Sequence, residues 1–523
     1  MRFLLPILLG AVAATGFAPL ELVPLTLVAV AIWLRLVHDA PTLRAALLVG
    51  WLFGVGHFTV NNNWIQHAFD YQDRMPPVLG YGAVVGLALY LALFPMVTAG
   101  LAWRLASPRA VRDCLTRPGI AFACVAGAAW IAGEWLRSTL FTGYAWNPLA
   151  VMWVPVQPVA WIATIIGTYA LSGLTVAVAG LLLLVPRRPV PVVLAATALL
   201  MPVVLAMVSY RAASAPASGP ASGVAARDAP RLRVVQPNVD QQIHVTPEHG
   251  RRVLRTLAGL SGRPGPARRL ILWPEGAVDP YLEDGYPLDW YFGCGSPLAA
   301  RASIARLLGP ADRALVGGTA LMFDAAGEIT GAGNSIFVVR PDSRLGGRYD
   351  KAHLVPGGEY LPMRPLLEPL GLSRLVAGDI DFVDGPGPRS IVVDGFGPIG
   401  MQVCYEVIFS GEVVDRARRP RLIFNPSNDS WFGSWGPPQF VAQARLRAIE
   451  EGLPVVHATP NGISAVIGAD GAMVASLPRF VAGAIDIPMP PAKAPTPFAR
   501  IGNWAALVVA LFLLVGARAA RRR

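Results

Sequence analysis

Residues 397–406 read GPIGMQVCYE, an apolar run that ends in a cysteine followed by Tyr405 and Glu406. The run predicts a buried strand over 397–404 that is closed by Cys404, and a helix that begins near Val407. A cysteine at a turn from strand to helix lies near the positive end of the helix dipole, which favours the thiolate. Cys404 is therefore a candidate nucleophile, and a buried core cysteine is the alternative.

Similar apolar runs recur on both sides of this strand. They lie at 231–236, 269–273, 314–318, 334–340, 389–393, 421–425, 453–458 and 462–467. Helical patterns separate several of them, at 297–308, 407–418 and 438–452. Alternation of this kind predicts an α/β domain with a layered sheet over residues 231–490.

Two charged residues in the same region complete a candidate catalytic set. Glu275 follows the apolar run 269–273, and Lys351 lies in RYDKAHLVPGGEYLP. A carboxylate can take the thiol proton, and an ammonium can stabilise the oxyanion that forms when an acyl carbonyl is attacked. Taken singly, Glu275 is equally typical of a helix cap or an ion pair, and Lys351 of a surface charge. Of 44 basic residues, however, only Lys351 and Lys493 are lysines, so Lys351 marks a place that needs a compact ammonium.

The chain N-terminal to this domain is poor in charge and rich in long apolar runs. Residues 1–210 hold 17 of the 77 charged residues. We predict eight membrane spans, seven before a small-residue linker at 211–230 and one within the C-terminal segment 500–523. The predicted spans are 3–19, 22–37, 45–60, 79–102, 119–136, 158–184, 190–209 and 502–517.

Arginines in alternate connections predict the orientation of these spans. One set of connections holds most of the arginines, whereas 58–78 and 137–157 hold only Arg74 and Arg137. By the positive-inside rule, both termini are cytoplasmic and residues 231–490 lie outside the cytoplasm. A cleaved signal peptide in place of the first span is the alternative.

Composition excludes several classes of protein. With 54% hydrophobic residues, 15% charged residues and a mean hydropathy of +0.48, the chain is neither wholly soluble nor disordered. Its net charge of +11 comes without a basic stripe interleaved with aromatic residues, so we expect no nucleic-acid partner. The histidines do not cluster at metal spacing and no phosphate-binding loop is present, so we expect no metal and no nucleotide cofactor. A disulfide between Cys294 and Cys404 would abolish the thiol chemistry and stays open as an alternative.

The motifs WPEGAV, YDKAHLVPGGEYLP and GMQVCYE, followed by NPSNDSWFG, resemble the nitrilase superfamily with its Glu–Lys–Cys triad. With seven preceding spans and one following, the chain resembles the apolipoprotein N-acyltransferases of bacterial inner membranes. The resemblance implies an αββα sandwich for the catalytic domain, placed on the periplasmic side. It covers nearly the whole chain.

The resemblance also implies the reaction. Cys404 takes an acyl group from a membrane phospholipid as a thioester, and the α-amino group of a diacylglyceryl-cysteine on an apolipoprotein then accepts it. Glu275 corresponds to the general base and Lys351 to the oxyanion-stabilising lysine. Glu359, Tyr405 and Glu406 correspond to supporting residues.

Aromatic residues near the predicted site are candidates for lipid contact, with surface packing or an aromatic belt at the headgroup level as the alternative. They are Trp146, Trp431, Phe432 and Trp435. The chain departs from the family at two positions. Gly357 stands where members of the family usually have an aromatic residue. Members of the family often have a tryptophan shortly after the first strand of the domain, and this chain has none near His244 or Val245.

Two other functions remain to be weighed at this point. A membrane-tethered nitrilase-type amidase would release its thioester to water and hydrolyse a carbon–nitrogen bond. A polytopic transporter or receptor would use the outer domain only to bind a ligand. The order of Glu275, Lys351 and Cys404 along the chain argues against a transporter or receptor whose outer domain only binds a ligand.

Overall fold

The computed structural model describes residues 3–73, 75–106, 118–184, 189–213, 229–240, 246–292, 295–375 and 380–521. Some predictions fall outside these residues. They concern most of the linker, Cys294, the His244–Val245 position, and the topogenic arginines Arg2, Arg74, Arg109, Arg112, Arg117, Arg187, Arg188, Arg522 and Arg523.

A helix forms at every predicted span. The helices are Leu4–Ala14, Val23–His38, Leu43–Asn61, Leu79–Leu91 continued by Leu93–Ala106, Ile120–Thr139, Ala163–Leu182, Pro189–Ala213 and Trp504–Arg521. Among the described residues, five segments are long and apolar enough to cross a membrane: Leu43–Asn61, Leu79–Ala106, Ile120–Thr142, Ala163–Leu182 and Trp504–Arg521. Leu4–Ala14 and Val23–His38 are apolar but shorter. The chain is therefore a polytopic helical protein whose span count of eight stays a prediction.

Among the described residues, twelve strands build the α/β half. They are β1 Arg231–Gln236, β2 Arg269–Leu272, β3 Arg313–Phe323, β4 Ile329–Val339, β5 Leu345–Asp350, β6 Arg389–Val393, β7 Gly397–Met401, β8 Leu422–Pro426, β9 Val455–Ala458, β10 Ser464–Ile467, β11 Met473–Leu477 and β12 Gly483–Pro488. They form two six-stranded sheets, in the orders β12-β1-β2-β3-β4-β5 and β11-β10-β9-β8-β7-β6. The central strands β1, β2 and β3 are parallel, as are β7, β8 and β9.

The two sheets pack face to face between helices. Leu232 and Leu270 of the first sheet share one core with Ile399 and Ile423 of the second. Helices Pro247–Ser261 and Pro297–Ala305 cover the other face of the first sheet, and helix Gly436–Glu451 packs on the second. This arrangement is the αββα sandwich that the resemblance implied.

Candidate active site

The candidate nucleophile, Cys404, lies on a tight turn just after β7. Cys404 begins a single 3₁₀ turn, Cys404–Ile408, and its φ of +49° places a non-glycine residue in the left-handed region. Such a conformation costs of order 1–3 kcal/mol and persists only where the surroundings hold it. The sequence prediction of a strand that ends in the candidate nucleophile is close to the observed geometry, since β7 ends three residues earlier at Met401.

The predicted helix over 407–418 is wrong. After the 3₁₀ turn the chain runs through turns, and Gly411 has a φ of +77°, which a continuing helix does not permit. The thiolate therefore lacks the long helix dipole expected from the sequence. Burial raises the pKa of the Cys404 thiol well above its ordinary value and nearby Glu275 raises it further, while Lys351 opposes both. Cys404 needs a base, because it is not a preformed thiolate.

Glu275 lies three residues after β2 and is fixed by hydrogen bonds to both carboxylate oxygens. The Asn334 side-chain amide donates to its Oε1 at 2.7 Å, and the Asn428 backbone N–H donates to its Oε2 at 2.6 Å. Burial raises the pKa of Glu275, with the Lys351 ammonium acting in the opposite direction. A carboxylate with a raised pKa is suited to accept the thiol proton.

Lys351 follows β5 directly and is almost completely buried, with 1% of its side chain exposed. Its Nζ lies 2.8 Å from Oε2 of Glu359. Burial disfavours the ammonium, but the charges of Glu359, Cys404 and Glu275 outweigh it and raise the pKa of Lys351. The lysine therefore stays charged in the site, as an oxyanion stabiliser must.

Glu359 and Glu406 hold the loop that follows Lys351. Glu359 accepts the Val355 N–H at 2.8 Å. Glu406 accepts the N–H groups of Ala352 and His353 on one oxygen and the N–H of Val403, next to the nucleophile, on the other. Burial raises the pKa of Glu406 to about 7. Both residues therefore bind backbone groups beside the triad, as supporting residues should.

Tyr405 faces the membrane half of the chain. Its hydroxyl donates to the Gly143 carbonyl at 3.2 Å, and its ring packs near Tyr144, His353 and Phe409. Burial raises the pKa of the phenol well above its ordinary value, so it remains a donor.

All three catalytic candidates line one cavity of about 510 Å³. Membrane-half side chains form part of its wall, and side chains of the α/β half form the rest. The first group includes Trp64, Phe69, Leu87, Tyr90, Phe141 and Tyr144, and the second includes Val355, Leu361, Leu375, Phe382, Trp431 and Phe432. A volume of this size holds a small ligand or part of a lipid chain.

The predicted aromatic residues occupy different places around this cavity. Trp431 and Phe432 line it. Trp146 is buried outside the lining, where it packs against Trp64 and Phe432 and donates its Nε1–H to Gln439 at 2.8 Å. Trp435 is half-buried at the start of helix Gly436–Glu451.

Gly357, one of the departures from the family, also lines the cavity. Its φ is +74°, and a Cβ built on it would meet no atom within 4 Å. The position therefore faces open space that a larger side chain would fill.

The α/β half is joined to the membrane half by buried polar contacts. Gly167, with φ +75°, interrupts helix Ala163–Leu182, and the Thr168 N–H next to it donates to Glu450 at 2.6 Å. Glu450 also accepts from the hydroxyls of Thr168 and Ser410 and pairs with Arg447 at 2.8 Å. These contacts fix the catalytic turn relative to a membrane helix.

Sequence reasoning assigned no role to Asn334, Ser427 and Asn428. Asn334 bridges the two glutamates, since it donates to Glu275 and also to Glu359 at 3.0 Å. Ser427 lies 3.3 Å from the Cys404 sulfur. Ser427 and Asn428 could have been found from the sequence, because they lie in the polar motif NPSNDS at the end of an apolar strand.

Cys404 is a free thiol in this structure, and its suggested partner Cys294 lies outside the described residues. Across the described ranges, no cluster of three or more His, Cys, Asp or Glu side chains is arranged to hold a metal ion.

Both halves of the chain match known families. Residues 9–181 match the apolipoprotein N-acyltransferase N-terminal domain, and residues 232–493 match the carbon-nitrogen hydrolase family. A solved member of the nitrilase superfamily from Saccharomyces cerevisiae covers 53% of this chain and 93% of its own, at 16% identity and a TM-score of 0.35.

Relatives that match nearly the whole chain carry the same name. The apolipoprotein N-acyltransferase of Bradyrhizobium diazoefficiens is 34% identical and covers 99% of this chain and 95% of its own length. Those of Rhodopseudomonas palustris and Caulobacter vibrioides are each 32% identical, covering 98% and 99% of this chain and 94% of their own lengths. The chain therefore belongs to the apolipoprotein N-acyltransferase family, with a catalytic half of the carbon-nitrogen hydrolase type.

Proposed function

We propose that this enzyme transfers a fatty acyl group from a membrane phospholipid, through a thioester on Cys404, to the N-terminal diacylglyceryl-cysteine of an apolipoprotein. The observation that carries the proposal is the cavity. The thiol, base and lysine open into an apolar space whose wall includes Leu87 and Tyr90 of an apolar membrane helix. An acyl chain that lies in the membrane can therefore extend to the sulfur.

The first step forms the thioester. Glu275 takes the proton from the Cys404 thiol, and the sulfur attacks the ester carbonyl of the phospholipid. The oxyanion that forms is stabilised by Lys351, with the backbone N–H of Tyr405 as a second donor. The C–O bond then breaks, the proton passes from Glu275 to the departing oxygen, and lysophospholipid leaves.

The second step forms the amide. The α-amino group of the diacylglyceryl-cysteine attacks the thioester carbonyl, and Glu275 accepts a proton from the nitrogen. The C–S bond breaks, the sulfur regains the proton, and the triacylated lipoprotein leaves. All bonds made and broken belong to the two substrates, Cys404 and the proton carried by Glu275, so these steps balance without a metal or a nucleotide.

The proposed topology follows from the eight predicted spans. The membrane domain covers 1–210, the linker 211–230, and the catalytic domain 231–490 lies on the periplasmic side of a bacterial inner membrane. The eighth span and a basic tail occupy 500–523, and both termini are cytoplasmic. In this arrangement Trp431 and Phe432 contact the acyl chain, whereas Trp146 and Trp435 lie outside the cavity lining.

The alternatives are less well supported. A tethered amidase needs water at the thioester, whereas the cavity beside Cys404 is mostly apolar. A transporter or receptor with a purely binding outer domain gives no reason for a buried thiol, base and ammonium around one space. Relatives that carry the name N-acyltransferase over their whole length favour neither alternative.

Mass spectrometry of the products tests the proposal. Purified protein is incubated with phospholipid and a diacylglyceryl lipopeptide, beside a Cys404→Ala variant. We expect an N-acylated peptide and lysophospholipid from the native protein and neither from the variant. Without the peptide, an acyl adduct should accumulate on Cys404. Free fatty acid in place of acylated peptide would indicate hydrolysis, and equal product from the variant would refute the mechanism.

A further inference from the structure

Two chains of polar contacts leave Cys404, one from its carbonyl and one from its sulfur. On the first, the side-chain amide of Asn425 donates to the carbonyls of Cys404, at 3.1 Å, and of Gln402, at 2.8 Å. The Asn425 Oδ1 lies 2.8 Å from Nδ1 of His457. This chain pins the backbone on both sides of Val403.

The second chain leads back to the same histidine. The Ser427 hydroxyl lies 3.3 Å from the Cys404 sulfur and 2.9 Å from Oδ1 of Asp429. The Asp429 Oδ2 lies 3.6 Å from Nε2 of His457, at ion-pair range. Cys404, Asn425, His457, Asp429 and Ser427 thus form a closed set, the polar ring, and all five are buried.

The hydrogen-bonding groups of the ring favour a proton between Asp429 and His457. The Asn425 amide nitrogen donates to two carbonyls, so its oxygen is the acceptor facing His457, and Nδ1 of the histidine must carry a hydrogen. A neutral His457 would then turn a bare Nε2 toward a carboxylate oxygen. Within the part of the chain that the structure describes, neither His457 Nε2 nor Asp429 Oδ2 has a hydrogen-bond partner, and burying two acceptors against each other is costly.

We propose that Ser427, Asp429 and His457 are positioning residues, which hold the sulfur and backbone of Cys404 in the reacting geometry. His457 closes the polar ring through a proton that it shares with Asp429. In the resting enzyme the Ser427 hydroxyl donates to Asp429. When Glu275 removes the thiol proton, the Ser427 hydroxyl turns and donates to the sulfur.

The left-handed backbone of Cys404 explains the need for such support. A residue at φ +49° relaxes unless its neighbours prevent it, and the Cys404 side chain has one free torsion. The polar ring restrains both. His457 stacks on Phe440, with ring centroids 4.8 Å apart, so packing holds the imidazole where both nitrogens are used.

The test uses His457→Phe, Ser427→Ala and Asp429→Asn in the full-length protein. The phenylalanine keeps the stack on Phe440 and removes both contacts of the imidazole. The side chain of an asparagine at 429 can accept a hydrogen bond from Ser427 through its oxygen and donate one to a neutral His457 through its nitrogen. This variant therefore preserves the contacts of the ring without the proton that Asp429 and His457 share. Two rates are measured: S-acylation by phospholipid, which rests on the proposed function, and alkylation of Cys404 by iodoacetamide, located by peptide mass spectrometry.

We expect His457→Phe and Ser427→Ala to lower both maximal rates by about tenfold to 10²-fold, the effect of misplacing a reacting atom by about 1 Å. KM for phospholipid should stay near the native value, and Asp429→Asn should retain most of the activity. Ile304→Ala, a buried change in helix Pro297–Ala305 on the far face of the first sheet, controls for simple loss of stability and should leave both rates unchanged.

Several outcomes would overturn the inference. They are native rates in His457→Phe, a loss confined to KM, or a loss in Asp429→Asn as large as that in His457→Phe. Absence of S-acylation in the native protein would refute the proposed function alone, because the alkylation rates would still decide whether the ring positions the sulfur.

Discussion

The Nζ of Lys351 lies 2.8 Å from Oε2 of Glu359, and the side chains of this pair are 1% and 6% exposed. Asn334 joins the pair to the base, because its amide donates to both Glu359 and Glu275. The two carboxylates and the ammonium are therefore one electrostatic unit around the cavity. Lys351 is already paired with Glu359 before an oxyanion forms at the substrate carbonyl. The same ammonium then interacts with both the oxyanion and the Glu359 carboxylate.

Replacing Lys351 by arginine should abolish most of the activity. The planar guanidinium is larger than the ammonium and does not fit a buried place matched to Glu359. Loss of one oxyanion donor typically costs about 10²–10³-fold in kcat, so we expect a fall of that size in the S-acylation rate. Lys493→Arg is the matched control, because Lys493 is 37% exposed and lies 3.9 Å from Asp470. Comparable losses in the two variants would contradict the assignment.

Glu359→Gln should destabilise the fold as well as the site. Removing one partner leaves the Lys351 charge buried without its nearest balance, and breaking a buried pair of this kind costs about 3–5 kcal/mol. Thermal unfolding in detergent measures the change. Asp342→Asn, which breaks an exposed pair with Arg340, should cost less than about 1 kcal/mol. The assignment fails if the two variants unfold at the same temperature.

The rate of thioester formation should depend on pH with an acidic limb above the ordinary glutamate range. Burial raises the pKa of Glu275, so its carboxylate becomes protonated, and unable to accept the thiol proton, at a higher pH than usual. The rate therefore falls as the pH drops through this raised pKa. Single-turnover S-acylation across a pH series measures the limb, and Glu275→Gln should lose it together with the rate. A limb at or below the usual glutamate pKa would contradict this role.

Gly167→Ala should weaken the contact between the two halves of the chain. A Cβ there would lie 2.1 Å from the Phe498 ring, and φ is +75°. Overpacking of this kind costs about 1–3 kcal/mol, to which the strained backbone adds. Gly86→Ala, where a Cβ meets no atom within 4 Å, is the control and should unfold like the native protein. Equal unfolding temperatures for all three proteins would show that the break at Gly167 is not required.

Most of the sheet core was predictable because parallel central strands are buried on both faces and read as continuous apolar runs. The strands that sequence reasoning missed are β5, β11 and β12, and each lies at the edge of a sheet. Edge strands carry charged and small residues, as LGGRYD and GAIDIP do, so their apolar pattern is weak. Lys351 directly follows one of these edge strands. Its assignment to the site therefore came from the motif RYDKAHLVPGGEYLP and not from a predicted strand.

The sequence motifs predicted that Glu275, Lys351 and Cys404 act together, and the three line one cavity, but the contacts that Asn334 makes with the glutamates could not be predicted. Asn334 stands in a long strand among apolar residues, and its role appears only when Glu275 and Glu359 are brought to it from distant segments. The predicted helix over 407–418 failed for a local reason. Its apolar residues, such as Val407 and Val413, are buried as expected, but through successive turns and not along one helical face.

The contacts of Glu450 with Thr168 mean that the catalytic half is not a detachable module. A fragment that begins at residue 231 would lack the N–H and the hydroxyl of Thr168, which both donate to this carboxylate. The Glu450 side chain would then lose these two hydrogen bonds. The fragment would also lose the Trp146 ring that fills the space against Phe432 and Phe440. The membrane half is therefore more than an anchor, because its side chains form part of the interior of the catalytic half.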